Sequence, residues 1–326
     1  MFKMWYNNKR GMIMKNNFKI HFLNTIWSDA IMLESNKHFA FIDTASAFYY
    51  PMIKDYIDKY KIEVLDFILL THFHSDHYGN IINIINEYQV KKLYLKHYSA
   101  KEGDTGSGCP TNEEYLAQEM QHYNDIIATA KEHKIEIIYL DEINKDEPYI
   151  INFYDNDLEL YNLSSTLDPI YYDKSSPYYM KHMFSENNNS IVVYTNINNH
   201  KIFLGADLTE SDTEEKSLYR LSEKYLKIIY EKHNISSIDV YKSCHHGGSG
   251  TNKIELAKLL NTKYMIITNT DRWLDKWPTI QNFKDVRDDT VFLKTDYFQY
   301  VFDFSNEEIK YESIPLTSLF INLNKD

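Results

Sequence analysis

The sequence predicts an α/β fold in which a sandwich of sheets is flanked by helices. Short runs of β-forming residues open and close the pattern, with a mixed stretch between them. Apolar residues at helical spacing separate several of these runs. Each half also places polar residues directly after a buried strand, as layered α/β proteins do.

Taken in order, residues 18–23, 30–33 and 38–42 are short apolar or alternating runs separated by polar turns, which predicts successive strands. Residues 51–60 carry apolar side chains at helical spacing. Residues 65–70 form a continuous apolar run of strand length, the pattern of a strand covered on both faces. A polar cluster follows at 71–77, then an expected helix at 81–88 and a strand at 92–95. The stretch 103–110 holds three Gly and one Pro and reads as a loop. The longest expected helix is 113–133, where Leu116, Met120, Tyr123, Ile127 and Ala130 recur three or four apart. Strands are expected at 135–140 and 158–163, and a long loop or insertion at 164–186. Residues 190–196 and 201–204 predict a hairpin across Asn198-Asn199. A helix at 218–233, a strand at 239–243, a helix at 253–260 and a strand at 264–268 complete the reading. The expected organisation is an N-terminal tail, 1–17, and one catalytic domain, 18–326.

Composition narrows the function. Hydrophobic residues at 43% and charged residues at 25% describe an ordinary folded protein and not a disordered one. No run approaches the roughly 20 apolar residues of a membrane span. A net charge of -12 disfavours broad contact with nucleic acid, which needs a field of Lys and Arg, so nucleic acid enters only as a candidate substrate. The first 17 residues lack the apolar block of a secretory signal, which predicts a cytoplasmic protein, or a secreted one were the chain a processed form. Cys109 and Cys244 make neither a metal-finger spacing nor a disulfide framework. The 28 tyrosines are read as composition bias before any aromatic binding role. No protein partner is inferred.

The chemistry is concentrated in His72-x-His74-x-Asp76-His77. Imidazole and carboxylate are ligands for zinc and its first-row neighbours. His72 and His74, two apart, can grip one ion, and Asp76 and His77, around the turn, a second. A metal pair needs a shared ligand and further groups from elsewhere in the chain. Asp207, after the strand 201–204, is a candidate bridge, with a helix N-cap as its structural alternative. His245 or His246, after the strand 239–243, would complete the second ion's shell, unless the pair is only a polar turn before Gly247-Gly248.

These residues carry a resemblance. The histidine motif, the strand before Asp207 and the His245-His246-Gly247 turn resemble the metallo-β-lactamase superfamily. Within it the chain is similar to the catalytic domain of bacterial phosphorylcholine esterases, which remove phosphorylcholine from teichoic acids. More distantly it resembles the hydrolase domain of DNA-uptake competence channels. Collinear segments include Lys19-Ile20-His21-Phe22, Ser28-Asp29-Ala30-Ile31, Ile42-Asp43-Thr44, Asp76-His77-Tyr78-Gly79-Asn80, Asn189-Ser190 and Leu204-Gly205-Ala206-Asp207.

The resemblance implies an αββα four-layer sandwich holding two divalent ions, zinc first, with manganese or iron as alternatives. His72 and His74 would hold one ion, Asp76, His77 and His246 the other, and Asp207 would bridge. His245 would face substrate phosphate. Asp43 and Asn189 would support the ligand loop from behind. Where many members have another histidine before the bridging aspartate, this chain reads Asn187-Asn188-Asn189-Ser190, which leaves the first ion's shell emptier.

The expected reaction is phosphodiester hydrolysis of a small-molecule or cell-envelope substrate, with Asp76 and His245 as catalytic residues. Tyr98, Trp273, Trp277 and the pairs Tyr171-Tyr172 and Tyr178-Tyr179 are candidates to contact a quaternary ammonium group. Competing expectations are a nuclease or cyclic-nucleotide phosphodiesterase, a redox di-iron protein, disfavoured because that class places Glu at the position of His74, and a non-catalytic metal-binding module.

Overall fold

Apolar side chains on successive strand residues point to opposite faces, and here both faces are covered. Phe18, Ile20 and Phe22 of the strand Phe18–Phe22 enter one buried cluster with Ile31, Leu33, Ala40 and Ile42. Ala30, Met32 and Phe41, the intervening residues of the next two strands, enter a second cluster with the helices Tyr50–Lys59, Ile81–Glu87 and Asn112–Glu132. The far half repeats the pattern. Val193, Ile202, Leu204, Val240 and Ile266 join the first cluster, while Tyr194, Phe203, Tyr241, Met265 and Ile267 pack on the helices Leu221–His233, Ile254–Leu260 and Thr279–Val286. Helix, sheet, sheet and helix therefore stack as four layers. The computed structural model describes residues 17–98, 112–143, 147–162, 186–208, 221–248 and 251–316.

Among the described residues one sheet has eight strands, in the order Lys310–Pro315, Phe298–Asp303, Phe18–Phe22, Ala30–Ser35, His38–Thr44, Phe67–Leu69, Lys92–Leu95 and Glu136–Tyr139. The other has seven, in the order Val291–Lys294, Tyr264–Ile267, Val240–Lys242, His200–Leu204, Val192–Ile197, Asn156–Tyr161 and Tyr149–Phe153. Aromatic edges close the space between them: Phe153 stands edge-on to Phe67 at 5.5 Å and to Phe18 at 6.3 Å.

Most elements fall where the pattern places them, and the differences have physical causes. The apolar run at 65–70 is two strands. Val64–Leu65 pairs with Gln89–Val90 in a small separate sheet, and Phe67–Leu69 joins the large one. Asp66 makes the break: its N–H donates to Phe39 O at 2.8 Å and its carboxylate takes Lys91 and the Tyr154 hydroxyl. The hairpin across Asn198-Asn199 turns through left-handed φ values of 51° and 71°, which asparagine tolerates. A second hairpin, Tyr149–Phe153 with Asn156–Tyr161, has no expected counterpart for its first strand. Nor do the three strands after residue 290, two of which extend the first sheet beyond the N-terminal strand. The expected insertion at 164–186 and the loop at 103–110 lie outside the described residues, Glu186 excepted. Among the described residues no helix is long and apolar enough to cross a membrane.

The strands Phe67–Leu69, His200–Leu204, Val240–Lys242 and Tyr264–Ile267 all run parallel to a neighbour. Parallel strands end on a common edge, so the segments after them gather there. Trp27 N–H donates to Thr268 O at 2.9 Å and Ile191 N–H to Thr71 O at 2.9 Å, which tie the two sheets together at this edge.

Candidate metal centre

The strand-end segments bring four predicted ligands into one cluster. Single ligand atoms of Asp76, His77, Asp207 and His246 all lie within 4.8 Å of one another. His246 Nε2 is 3.0 Å from Asp76 Oδ2 and 3.2 Å from Asp207 Oδ2, and His77 Nε2 is 3.3 Å from Asp207 Oδ1. Asp76 and His77 sit in a one-turn helix, Ser75–Tyr78, that His74 opens in an extended conformation. His72 and His74 lie outside the four-residue set but next to it. The His72 ring is 4.1 Å from that of His77, and His72 Nε2 is 3.1 Å from His74 Nδ1.

Backbone strain accompanies this convergence. Asp43, Ala206, His245 and His246 all take left-handed φ values, 55°, 45°, 45° and 52°. Such conformations cost free energy in non-glycine residues and persist where the surroundings over-determine them. At the turn after Val240–Lys242 they are held by His245 N–H donating to Ala206 O at 2.9 Å and by Cys244 N–H donating to the Tyr241 hydroxyl at 2.8 Å. Gly247, at φ 84°, completes the turn, and a Cβ there would stand 2.9 Å from Ile267.

Hydrogen bonds behind the ligands set which ring nitrogen faces the cluster. Asp43 is buried and accepts from Thr71 N–H at 2.8 Å, from the Thr71 hydroxyl at 2.7 Å and from His77 Nδ1–H at 2.7 Å. The Thr71 hydroxyl, having given its one proton to Asp43, can only accept from His72 Nδ1–H, 3.2 Å away. Both rings thus turn an unprotonated Nε2 outward when a cation is to be held. His246 has an equivalent support that the sequence reading did not single out. Its Nδ1–H faces the Thr268 hydroxyl at 2.8 Å, which donates to Asp29 Oδ1 at 2.8 Å.

The electrostatics are those of a site with protons where cations would stand. Burial disfavours charge on His77 and His246, yet Asp207, helped by Asp43 or Asp29, holds both rings' pKa well above the usual value. Burial likewise opposes the Asp207 carboxylate, and the two histidines outweigh it and keep it ionised. His72 is driven the other way, by burial and by its imidazole neighbours. His77 Nε2 and Asp207 Oδ1, buried and 3.3 Å apart, make no well-aligned hydrogen bond to each other or to another described residue. Buried polar atoms are rarely left so, and a nitrogen and an oxygen aimed into a cluster of carboxylates and imidazoles fit a divalent cation.

The other predicted residues are placed as follows. His245 stands at the rim, its side chain about 36% exposed, with Nε2 4.0 Å from Asp207 Oδ2 and 3.4 Å from Asn187 Nδ2. Burial lowers its pKa. Among the described residues Asn189 makes no hydrogen bond to the four-residue set. It takes the Lys96 ammonium on its side-chain and main-chain oxygens and donates to Glu186, whose Oε1 accepts Phe73 N–H at 3.1 Å, so it braces the ligand loop through Glu186. Tyr98 is buried against Phe73 and Tyr123, in aromatic packing and not at an open surface. The Trp273 side chain and residues 171, 172, 178 and 179 lie outside the described residues. Trp277 stands edge-on to Trp27 at 5.5 Å, and Trp27 edge-on to His246 at 5.9 Å.

Comparison with known proteins follows the geometry. Residues 28–157 match the profile of the Metallo-beta-lactamase superfamily. A solved metallo-beta-lactamase fold protein, YhfI from Bacillus subtilis, superimposes with a TM-score of 0.51 over 87% of this chain and 99% of its own at 11% identity. The chain has the metallo-β-lactamase fold. Two further solved structures are similar to the chain at lower scores. One is a mutant of the β-hydroxylase CmlA, with TM-score 0.47, 10% identity and 91% of this chain covered; the match spans about half of that protein, 54%. The other is a diphosphatase of the PhnP family, with TM-score 0.42, 12% identity, and 90% and 85% of the two chains covered. No curated protein matches the chain by sequence. In this metallo-β-lactamase fold the candidate ligand cluster occupies the edge where the parallel strands of both sheets end.

Proposed function

We propose that the chain is a dinuclear metal-dependent hydrolase that cleaves phosphodiesters of the phosphorylcholine type or close relatives. The convergence of Asp76, His77, Asp207 and His246 within 4.8 Å, from segments far apart in sequence, carries the reading. His72 and His74 would hold one ion, Asp76, His77 and His246 the other, and Asp207, with its two oxygens turned to His77 and His246, would be shared. Zinc fits the N and O donors best. Such ions supply Lewis acidity toward phosphoryl oxygen and lower the pKa of water from 15.7 toward about 7.

The chain's own residues do the rest. Asp76, whose side chain is 28% exposed, orients the attacking water from the open side of the cluster. His245, at the rim, donates a hydrogen bond or proton toward the phosphate or the departing oxygen. Trp27 and Trp277, ring edge against ring face beside His246, offer π-surface to a quaternary ammonium group. The net charge of -12 favours a small phosphodiester over a polyanion.

The test combines elemental analysis of the purified chain with hydrolysis of p-nitrophenyl phosphorylcholine, bis-p-nitrophenyl phosphate and DNA. Two ions per chain and chelator-sensitive turnover of the phosphorylcholine ester are expected, and His74→Ala and Asp207→Ala should abolish both metal content and turnover. Preference for DNA would replace the substrate assignment by a nuclease. Full activity in metal-stripped protein would end the metal reading altogether.

A further inference from the structure

A buried ion pair that the hydrolytic reading does not use sits directly behind the ligand cluster. Lys242 and Asp29 are fully buried, and the Lys242 ammonium donates to Asp29 Oδ2. A lone pair of buried charges is seldom the most stable way to fill a core, because desolvation offsets much of the attraction. What distinguishes this pair is what else it touches. Asp29 Oδ1 accepts the Thr268 hydroxyl at 2.8 Å, and that hydroxyl faces His246 Nδ1 at 2.8 Å. The Asp29 main-chain N–H donates to Asp76 O at 3.2 Å. Lys242 Nζ also donates to Ala206 O at 3.3 Å, on the residue just before Asp207, whose left-handed φ of 45° aims the Asp207 segment. Three of the four clustered ligands are therefore anchored to one ion pair, which spans from the first sheet to the second.

We infer that Lys242 and Asp29 are positioning residues that set the spacing of Asp76, Asp207 and His246 and thereby the affinity and geometry of the second cation position. The inference rests on the dinuclear reading above. Asp29 keeps the His246 proton on Nδ1 both through Thr268 and directly, its Oδ1 lying 3.3 Å from that nitrogen, and so leaves Nε2 for the cation. Lys242 neutralises Asp29, so that the carboxylate stays an acceptor in a buried setting, and in the same contact it holds the Ala206 carbonyl. Of the groups proposed for the first ion only the shared Asp207 touches this network, and His72 and His74 have no part in it, so the first cation position is expected to change less than the second.

Cobalt(II) titration of the metal-free full-length chain, followed by its visible spectrum and by competition with a chelator, tests the inference. In Lys242→Met the second cobalt is expected to bind about 10–100-fold more weakly, the range found when outer partners of ligands are removed. Its absorption bands should shift, while the first cobalt's affinity and bands change less than the second's. Thr268→Val, which keeps the ion pair and removes only the hydroxyl beneath His246, should reproduce the change in the second cobalt's spectrum, and it decides the matter if Lys242→Met does not fold. Lowered thermal stability with both cobalt ions bound as in the wild type would make the pair a merely structural tie and overturn the inference while leaving the dinuclear reading intact. A wild-type chain that takes up no cobalt would overturn both.

Discussion

Asp43→Asn is the substitution whose consequences the structure specifies best. Asp43 Oδ1 accepts Thr71 N–H at 2.8 Å, and Oδ2 accepts both the Thr71 hydroxyl and His77 Nδ1–H at 2.7 Å. Asparagine can keep the first bond. Its NH2 group then meets two donors where an acceptor stood. The hydroxyl can rotate to accept, and His77 can accept only by moving its proton to Nε2, the nitrogen that faces Asp207. Two charge-assisted bonds at about 1.5–3 kcal/mol each are lost, partly offset because a buried carboxylate no longer has to be desolvated. A net destabilisation of about 2–3 kcal/mol is expected, or a fall in melting temperature of roughly 5 °C for the metal-free chain. Metal affinity is expected to fall as well, because both the His77 and, through Thr71, the His72 tautomers are disturbed. A drop of about 10–100-fold corresponds to about 1.4–2.8 kcal/mol. Thermal unfolding of the metal-free protein and cobalt(II) titration measure the two effects separately. Loss of stability with both cobalt affinities unchanged would refute the claim that Asp43 sets ring tautomers.

Three further outcomes follow from the same geometry. His77 and His246 bind protons more tightly in the folded metal-free chain than in the unfolded one, because Asp207 and its neighbours outweigh burial. That contribution to stability is complete below the unfolded value of about 6.5 and disappears as pH rises through the raised folded values, so metal-free stability should decline with increasing alkalinity. A cation must displace these protons, so calorimetry in buffers of different ionisation enthalpy should register about one to two protons released per chain, and tighter binding as pH increases; binding without proton release would contradict the assignment. His245→Ala should keep both ions and the cobalt spectrum while kcat drops by roughly 10²–10⁴, and loss of an ion would instead make His245 a ligand.

The parts of the site legible in the chain are those in which local spacing carries the chemistry. His72, His74, Asp76 and His77 fall within six residues after one apolar strand, and that compression is readable without a fold. The four layers were legible for a similar reason, since apolar runs interrupted by turns and helical spacing are local patterns. Position just after a strand made Asp207 and the His245-His246 pair candidates, and resemblance to known hydrolases chose His246 of the two and added Asp43, which no local pattern joins to the first loop.

Tertiary structure decided the remainder, because single polar residues at strand ends have no periodicity to betray them. Asp29, Thr268 and Lys242 each stand alone in sequence and meet only when the ends of both sheets come together. Lys242 did carry one signal, a charge ending the buried strand Val240–Lys242, where burial without a partner would be prohibitive. Tyr98 looked like an available aromatic and is core packing, since exposure is a property of the fold and not of the residue. The first sheet is extended by pairing Phe18–Phe22 with Phe298–Asp303, a contact between opposite ends of the chain that composition and spacing cannot express. Local order is written in neighbouring residues, whereas the distance between two strand ends is set by packing across both sheets, and the separation of one carboxylate from one imidazole depends on that packing.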